Sequence, residues 1–499
     1  MTSEYHRAAK TRLRADVRPR QEERPENAPI CTPLSSPPIT RSHLPPAKPK
    51  AALSWPEGMP AIANLVDTLR AMGVVGAGGA GFPASVKAAA RAEFVLANGA
   101  ECEPLLHKDF ELMRQHPAEV IAGLRRMADS TGAQKSILGV KEKNSEAIEA
   151  LRPHAEKAGF GFCLLGDFYP SGDEYELVYA ATGRLIPAGG IPLQVGCVVN
   201  NVETLVNVER AAQGRPVTHK FVSINGAVKK PCSFWVPVGA SFADLLAAAG
   251  GATSEEYGIF VSGLMMGTLT FDLSGVVTKT TCGLIILPKD HPLVQRKSRP
   301  LEQMERIGRS ACDQCSYCTE FCPRYLLGYD VQPHRVMRSL GFSLAGKDNW
   351  NQSAALCCAC GLCTLYACPE DLYPKEACDA AKDDLRSAGI RFQQDKPVRV
   401  HPMKEYRRVP QAMLRQRLAV EPYDARTPFK AHGPEPARVR LLTKQHAGVA
   451  AKPVVSEGER VQAGATVAKI DAGALGADIH ASIGGRVITV TADFVEIEA

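Results

Sequence analysis

The sequence predicts a multidomain protein in which an α/β domain leads and small β modules flank a helical, cysteine-rich segment. Three observations predict it. Helix-like and strand-like apolar patterns alternate from about Ala61 to Gly214, nine of the sixteen cysteines fall between Cys312 and Cys368, and glycines break up short strand patterns across residues 439–499. Alternation of the first kind implies a largely parallel sheet covered by helices. With 45% hydrophobic and 22% charged residues the chain is globular, and 499 residues allow about three or four units. No run approaches the ~18 apolar residues of a membrane span. The net charge of +6 is mostly local: residues 1–50 hold ten Lys and Arg against five Asp and Glu, so the remainder offers no basic face to nucleic acid.

Residues 1–55 read as a disordered Pro- and Arg-rich arm, with a short helix over Glu4–Arg14 whose Ala8, Leu13 and Val17 make too thin an apolar face for targeting. The α/β domain takes residues 56–215. Its expected elements are a helix at Ile62–Met72, the glycine run 76–81, a helix at Ser85–Arg91 and a strand at Phe94–Ala97 ending in Asn98-Gly99. A helix at Pro117–Ser130, a strand at Lys135–Val140, a helix at Ser145–Lys157 and a strand at Gly161–Leu165 follow. Residues 216–295 predict strands at Lys220–Ile224, Ser233–Pro237, Ile259–Val261 and Gly283–Leu287, with one helix at Ser241–Ala249 capped by Ser241, a ubiquitin-like pattern. The cysteine domain spans 296–390, helical between its loops. A connector covers 391–437, and 438–499 form a small β domain.

Cys312-x2-Cys315-x2-Cys318-x3-Cys322-Pro323 has the spacing of a bacterial ferredoxin site for a [4Fe–4S] cluster, and Cys357-x2-Cys360-x2-Cys363-x4-Cys368-Pro369 repeats it. In two-cluster proteins the fourth cysteine of each run ligates the other cluster. Cys312, Cys315, Cys318 and Cys368 would then form one set, and Cys357, Cys360, Cys363 and Cys322 the second. The second run is irregular: four residues precede its last cysteine, and Cys358 competes with Cys357. Four cysteines also bind zinc, but two Cys-Pro dipeptides favour iron–sulfur. Thiolate clusters imply a reducing compartment, and the N-terminus has no secretory apolar region.

The run Gly76-Ala-Gly78-Gly79-Ala-Gly81-Phe82-Pro83 opens a helix and lets backbone amides approach a phosphate. It is followed by Asn98-Gly-Ala-Glu101-Cys-Glu103-Pro, Tyr169-Pro-Ser-Gly-Asp-Glu174 and Asn200-Asn201-Val-Glu-Thr204-Leu. On these four motifs in order, the chain from about residue 60 resembles the flavin- and NADH-binding 51-kDa subunit of respiratory complex I. It is more similar still to the RnfC protein of the Rnf complex and to the corrin reductases of propanediol-utilisation microcompartments. The resemblance implies that Gly78, Gly79, Gly81 and Lys87 cradle the FMN phosphate, that Asn98, Asn200, Asn201 and Thr204 hold the flavin, and that Glu103 is the acidic, catalytic residue beside the nicotinamide. Gly76, Phe82, Glu101, Tyr169 and Glu174 complete the implied cofactor set. Ala77 and Ala100 stand where the complex I proteins have Arg and Asp, a departure that bears on NADH more than on flavin.

Residues 217–275 resemble the soluble-ligand-binding (SLBB) β-grasp module of these families, with 262–269 as its glycine-rich turn; Met265 and Met266 could meet a corrin or quinone, though such pairs more often pack. The C-terminal unit resembles the barrel-sandwich hybrid of lipoyl and biotinyl carriers, but Ala474 stands at the carrier-lysine position, and Lys469 lies in the preceding strand. A flavin followed by two clusters converts two-electron into one-electron transfer. The implied function is an NADH-dependent oxidoreductase passing electrons through FMN and two [4Fe–4S] clusters to an acceptor. The hybrid module's C-terminal position favours the corrin reductases, hence cobalamin as acceptor, an adenosyltransferase or shell and cargo proteins as partners, and a cytoplasmic microcompartment lumen as location. The alternatives are an Rnf-like component peripheral to a membrane and a non-catalytic electron-transfer adaptor.

Overall fold

The computed structural model describes residues 64–342 and 350–499; the N-terminal arm with its expected helix lies outside them. The first domain contains α1 (Leu65–Ala71), α2 (Ala84–Ala88), β1 (Phe94–Gly99), α3 (Lys108–Gln115), α4 (Pro117–Thr131), β2 (Lys135–Lys141), α5 (Ser145–Ala158) and β3 (Gly161–Leu165). The short β4 (Phe168–Tyr169), α6 (Glu174–Thr182), β5 (Cys197–Asn201) and α7 (Val202–Ala212) complete it. Four strands form a parallel sheet in the order β3-β2-β1-β5. Alternate residues serve opposite faces. Val95 and Ala97 enter one core with Leu124 of α4 and Val206 of α7, while Phe94 and Leu96 enter another with Leu177 and Val178 of α6. The order reverses between β1 and β5, where open α/β sheets bind their ligands. β1 runs two residues further than its apolar pattern predicts, so Asn98 and Gly99 are still strand.

The second domain is a five-stranded mixed sheet of β6 (His219–Gly226), β7 (Cys232–Pro237), β8 (Tyr257–Val261), β9 (Thr268–Thr270) and β10 (Gly283–Pro288), in the order β7-β6-β10-β8-β9. Its helix, α8 (Phe242–Ala248), begins with Ser241 and Asp244 capping each other. Met265 is wholly buried, as packing requires, whereas Met266 is 55% exposed.

Between the cysteine loops lie helices at Leu301–Ala311, Tyr317–Glu320, Pro323–Leu326, Pro333–Ser339 and Pro374–Ser387. The connector is not a loose tether. Val409–Pro410 pairs antiparallel with β4, and Phe429 stacks on Phe221 of β6 with ring centroids 5.9 Å apart. The last domain closes two small sheets over a core of Val467, Ile479, Val487 and Ile497. Its tip, residues 471–478, is pinned to α1: Arg70 donates to the Asp471 and Ala474 carbonyls at 2.7 and 3.1 Å. Lys279, wholly buried between the three units, donates to Gly73 O at 2.8 Å and Asp478 O at 2.7 Å, and burial lowers its pKa to about 7. Among the described residues no helix is long and apolar enough to cross a membrane.

Candidate functional site

The glycine loop joins α1 to α2 and crosses the switch point of the sheet. Gly76 N–H closes it on Phe82 O at 2.9 Å. Ala77 N–H donates to Thr204 Oγ1 at 2.9 Å, and Lys220 Nζ holds Ala77 O at 2.8 Å. Gly79 has φ of +116°, which a side chain would strain, and a Cβ built there would meet nothing within 4 Å, so a side chain would enter open space beside the loop. Lys87, beside the Phe82 ring, donates to Val199 O at 2.6 Å; burial pulls its pKa down and the Glu174 carboxylate opposes that.

The asparagines divide by role. Asn98 donates to Gly172 O at 2.8 Å, and Asn201 donates to Asp109 at 2.7 Å while its oxygen caps α7 through Glu203 N–H at 3.0 Å. These two, with Thr204, hold the frame. Asn200 is 2% exposed and neither end of its amide has a partner. A buried orphan of this kind costs about 1–3 kcal/mol, and a bound flavin edge, with donors and acceptors, suits it.

Beneath the loop lies a charged knot whose lysines carry no sequence signal. Glu203, fully buried, ion-pairs with Lys220 of β6 and, at 3.1 Å, with Lys108 of α3; it also accepts Phe221 N–H at 3.1 Å. Against the cost of burial, Lys220 and Lys108 hold its carboxyl below the usual range. Lys108 also pairs with Asp109, whose N–H donates to Glu101 at 3.1 Å. Burial, then the Asp109 carboxylate, push Glu101 up to about 8. Glu103 is engaged differently: its oxygens accept Met265 and Met266 N–H at 2.9 and 2.8 Å, and a Cβ on Gly263 would fall 2.5 Å from its carboxyl, which is why that turn needs glycine. Glu101 and Glu103 line a cavity of about 310 Å³ with Lys141, Lys143 and Arg415.

Cysteines from the two runs lie close to one another. Cys312, Cys315 and Cys318 line one recess together with Cys368 from the other run. Cys322 lies near Cys358 and Cys357, and Cys363 near Cys357, Cys318 and Cys322. Gln314, Ser316, Ala359 and Asp371 all take left-handed φ between +51° and +62°, strain that lets the loops wrap inward. Among the described residues no group of three or more such side chains is already placed to hold a metal ion. A π-turn at Cys363–Ala367 absorbs the extra residue before Cys368. Of the rivals, Cys357 packs toward Cys322 and Cys378, and Cys358 toward Tyr169 and Cys360.

Four family models match in chain order: the Nuo51 FMN-binding domain over residues 69–210, the SLBB domain over 221–269, the 4Fe-4S dicluster domain over 311–373 and the RnfC barrel sandwich hybrid domain over 426–498. FMN and two [4Fe–4S] clusters are therefore the cofactors these folds hold, and the zinc reading falls away. Cobalamin reductase PduS of Salmonella typhimurium strain LT2 is 40% identical over 433 residues, 86% of this chain and 95% of that one. Its Citrobacter freundii counterpart is 39% identical over the same shares. A component of the proton-translocating ferredoxin:NAD(+) oxidoreductase complex of Clostridium ljungdahlii is 31% identical over 54% of this chain and 60% of its own.

Proposed function

The chain belongs to the PduS-type cobalamin reductase family, and from that premise we propose that it oxidises NADH and reduces cob(III)alamin or cob(II)alamin one electron at a time. The observation that carries this reading is a single bond: Tyr169 of the flavin-type domain donates from Oη to the Cys360 carbonyl at 2.7 Å, inside one buried core. Hydride chemistry and the one-electron carriers thus share a rigid frame. FMN supplies the exchange of one hydride for two single electrons, and each cluster carries one electron.

The residues divide the work. Amides at Gly78 and Gly79, with Lys87, suit a phosphate, and Asn200 suits the flavin edge, while Asn98, Asn201 and Thr204 fix the loop. The cavity beside Glu101 and Glu103, with Lys141, Lys143 and Arg415, suits the anionic nicotinamide nucleotide; Glu103 acts there by shaping the wall, since two amides hold its carboxylate. The fitting location is a microcompartment lumen, with an adenosyltransferase consuming the reduced corrin. Protein purified without oxygen should carry about eight irons per chain and FMN, bleach with NADH and reduce aquacobalamin. Gly79→Val should abolish flavin retention and leave the iron. Normal flavin content in that variant would overturn the loop assignment, and reduction of a ferredoxin without aquacobalamin would indicate the Rnf-like activity.

A further inference from the structure

The two cysteine sets are not equivalent in position. The set of Cys357, Cys360, Cys363 and Cys322 borders the flavin-type domain at several points. Tyr169 bonds Cys360. Arg324, two residues past Cys322, ion-pairs with Asp173 at 3.0 Å and lies 3.5 Å over the Tyr175 ring. A cavity of about 240 Å³ has Glu174, Tyr175 and Gly190 on one wall and Arg324, Cys357 and Cys358 on the other. The second domain closes the remainder, with Met265 O 3.1 Å from where a Cβ on Gly361 would sit. Cys322, Cys360 and Cys363 of this set are buried and Cys357 is half-buried.

Among the described residues, the recess of the other set is lined by residues between Cys312 and Pro374, none from the flavin-type or β-grasp units, and the connector reaches it through Arg417, which donates to the Cys368 carbonyl at 3.3 Å. Cys315 is exposed, Cys312 is half-buried, and the loop between them carries the exposed Asp313, with Tyr317, 48% exposed, just beyond. Glu370, also exposed, completes the rim from the second run.

We propose that the one-electron acceptor docks on this outer face, over Asp313, Cys315, Tyr317 and Glu370. The inference rests on the cobalamin-reductase reading and adds where the corrin meets the chain. The electrons balance: NADH gives NAD⁺, one proton and two electrons, so two cob(III)alamin molecules visit the face per NADH and each leaves as cob(II)alamin. An acceptor bound in the cavity beside Glu101 would instead meet the flavin directly and need neither cysteine set.

Two measurements on the full holoprotein test the face. In the first, a freely diffusing dysprosium chelate is added to the reduced wild-type protein and electron spin relaxation is recorded, with Cys315→Ser identifying the outer signal. The outer signal should relax faster and the inner one should stay unchanged; equal or greater enhancement of the inner signal overturns the proposal. In the second, Tyr317→Glu and Asp313→Arg should each slow aquacobalamin reduction by roughly tenfold or more, as changes at a docking rim do, while NADH bleaches the flavin at the wild-type rate. Undiminished aquacobalamin reduction overturns the docking face. Failure of NADH to bleach the wild-type flavin overturns the functional reading instead, and the relaxation experiment still decides which set is outermost.

Discussion

At Asn200 binding and stability pull in opposite directions. The amide is buried with both ends unbonded, so an apolar residue of similar shape should relieve the protein while removing its hold on the cofactor. Asn200→Leu should therefore lose FMN and at the same time raise the unfolding free energy of the flavin-free protein by about 1–3 kcal/mol. Denaturant unfolding of the stripped protein checks this, and a variant that is both flavin-replete and no more stable would contradict it. The residue is legible in the sequence only as part of the Asn-Asn-x-Glu-Thr motif. Lys108 and Lys220, which pair with the Glu203 of that motif, are not legible at all, because charged residues predict surface and their mutual neutralisation depends on β6 arriving from another domain.

Elements show the same division. The apolar period locates α4, α5, β2 and β3 to within a residue or two, since their faces are plainly amphipathic. It misses α3, whose buried face includes Lys108, Asp109 and Glu111 and so reads as polar. The cysteine runs are legible as sets because ligand spacing is local, and even their interlacing follows from the Cys-Pro rule. The π-turn that accommodates the irregular spacing leaves no such trace. Interlacing has a direct consequence: Cys322→Ala should alter the spectrum of the set held by Cys357, Cys360 and Cys363, though Cys322 lies in the other run, and cost about four irons per chain. NADH should still bleach the flavin in that variant, while aquacobalamin reduction falls sharply. Spin-resonance spectra that change only for the set at Cys312, Cys315 and Cys318 would show that the runs do not exchange ligands.

The whole molecule is held by contacts between residues hundreds of positions apart, and no local pattern foretells them. Lys279 is the clearest. A neutral amine has two N–H groups, matching the Gly73 and Asp478 carbonyls, and burial likewise lowers the pKa of the nearby His446 and takes that of His480 down to about 3. Its folded pKa, about 7, lies below the ordinary 10.5, so between these values the unfolded chain binds the extra proton and stability rises with pH. Lys279→Met should flatten that rise between about pH 7 and 10.5, and thermal unfolding across the window measures it; an unchanged slope would reject the assignment. The pinned tip also bears on synthesis. Gly81 O accepts the Ala447 N–H at 3.0 Å, so this neighbour of the cofactor loop leaves the ribosome long after the loop itself, about 20–70 s later at ordinary elongation rates. Until Ala447 is made, Gly81 of the nascent flavin-type domain therefore lacks the backbone partner that joins the cofactor loop to the C-terminal domain in the folded chain.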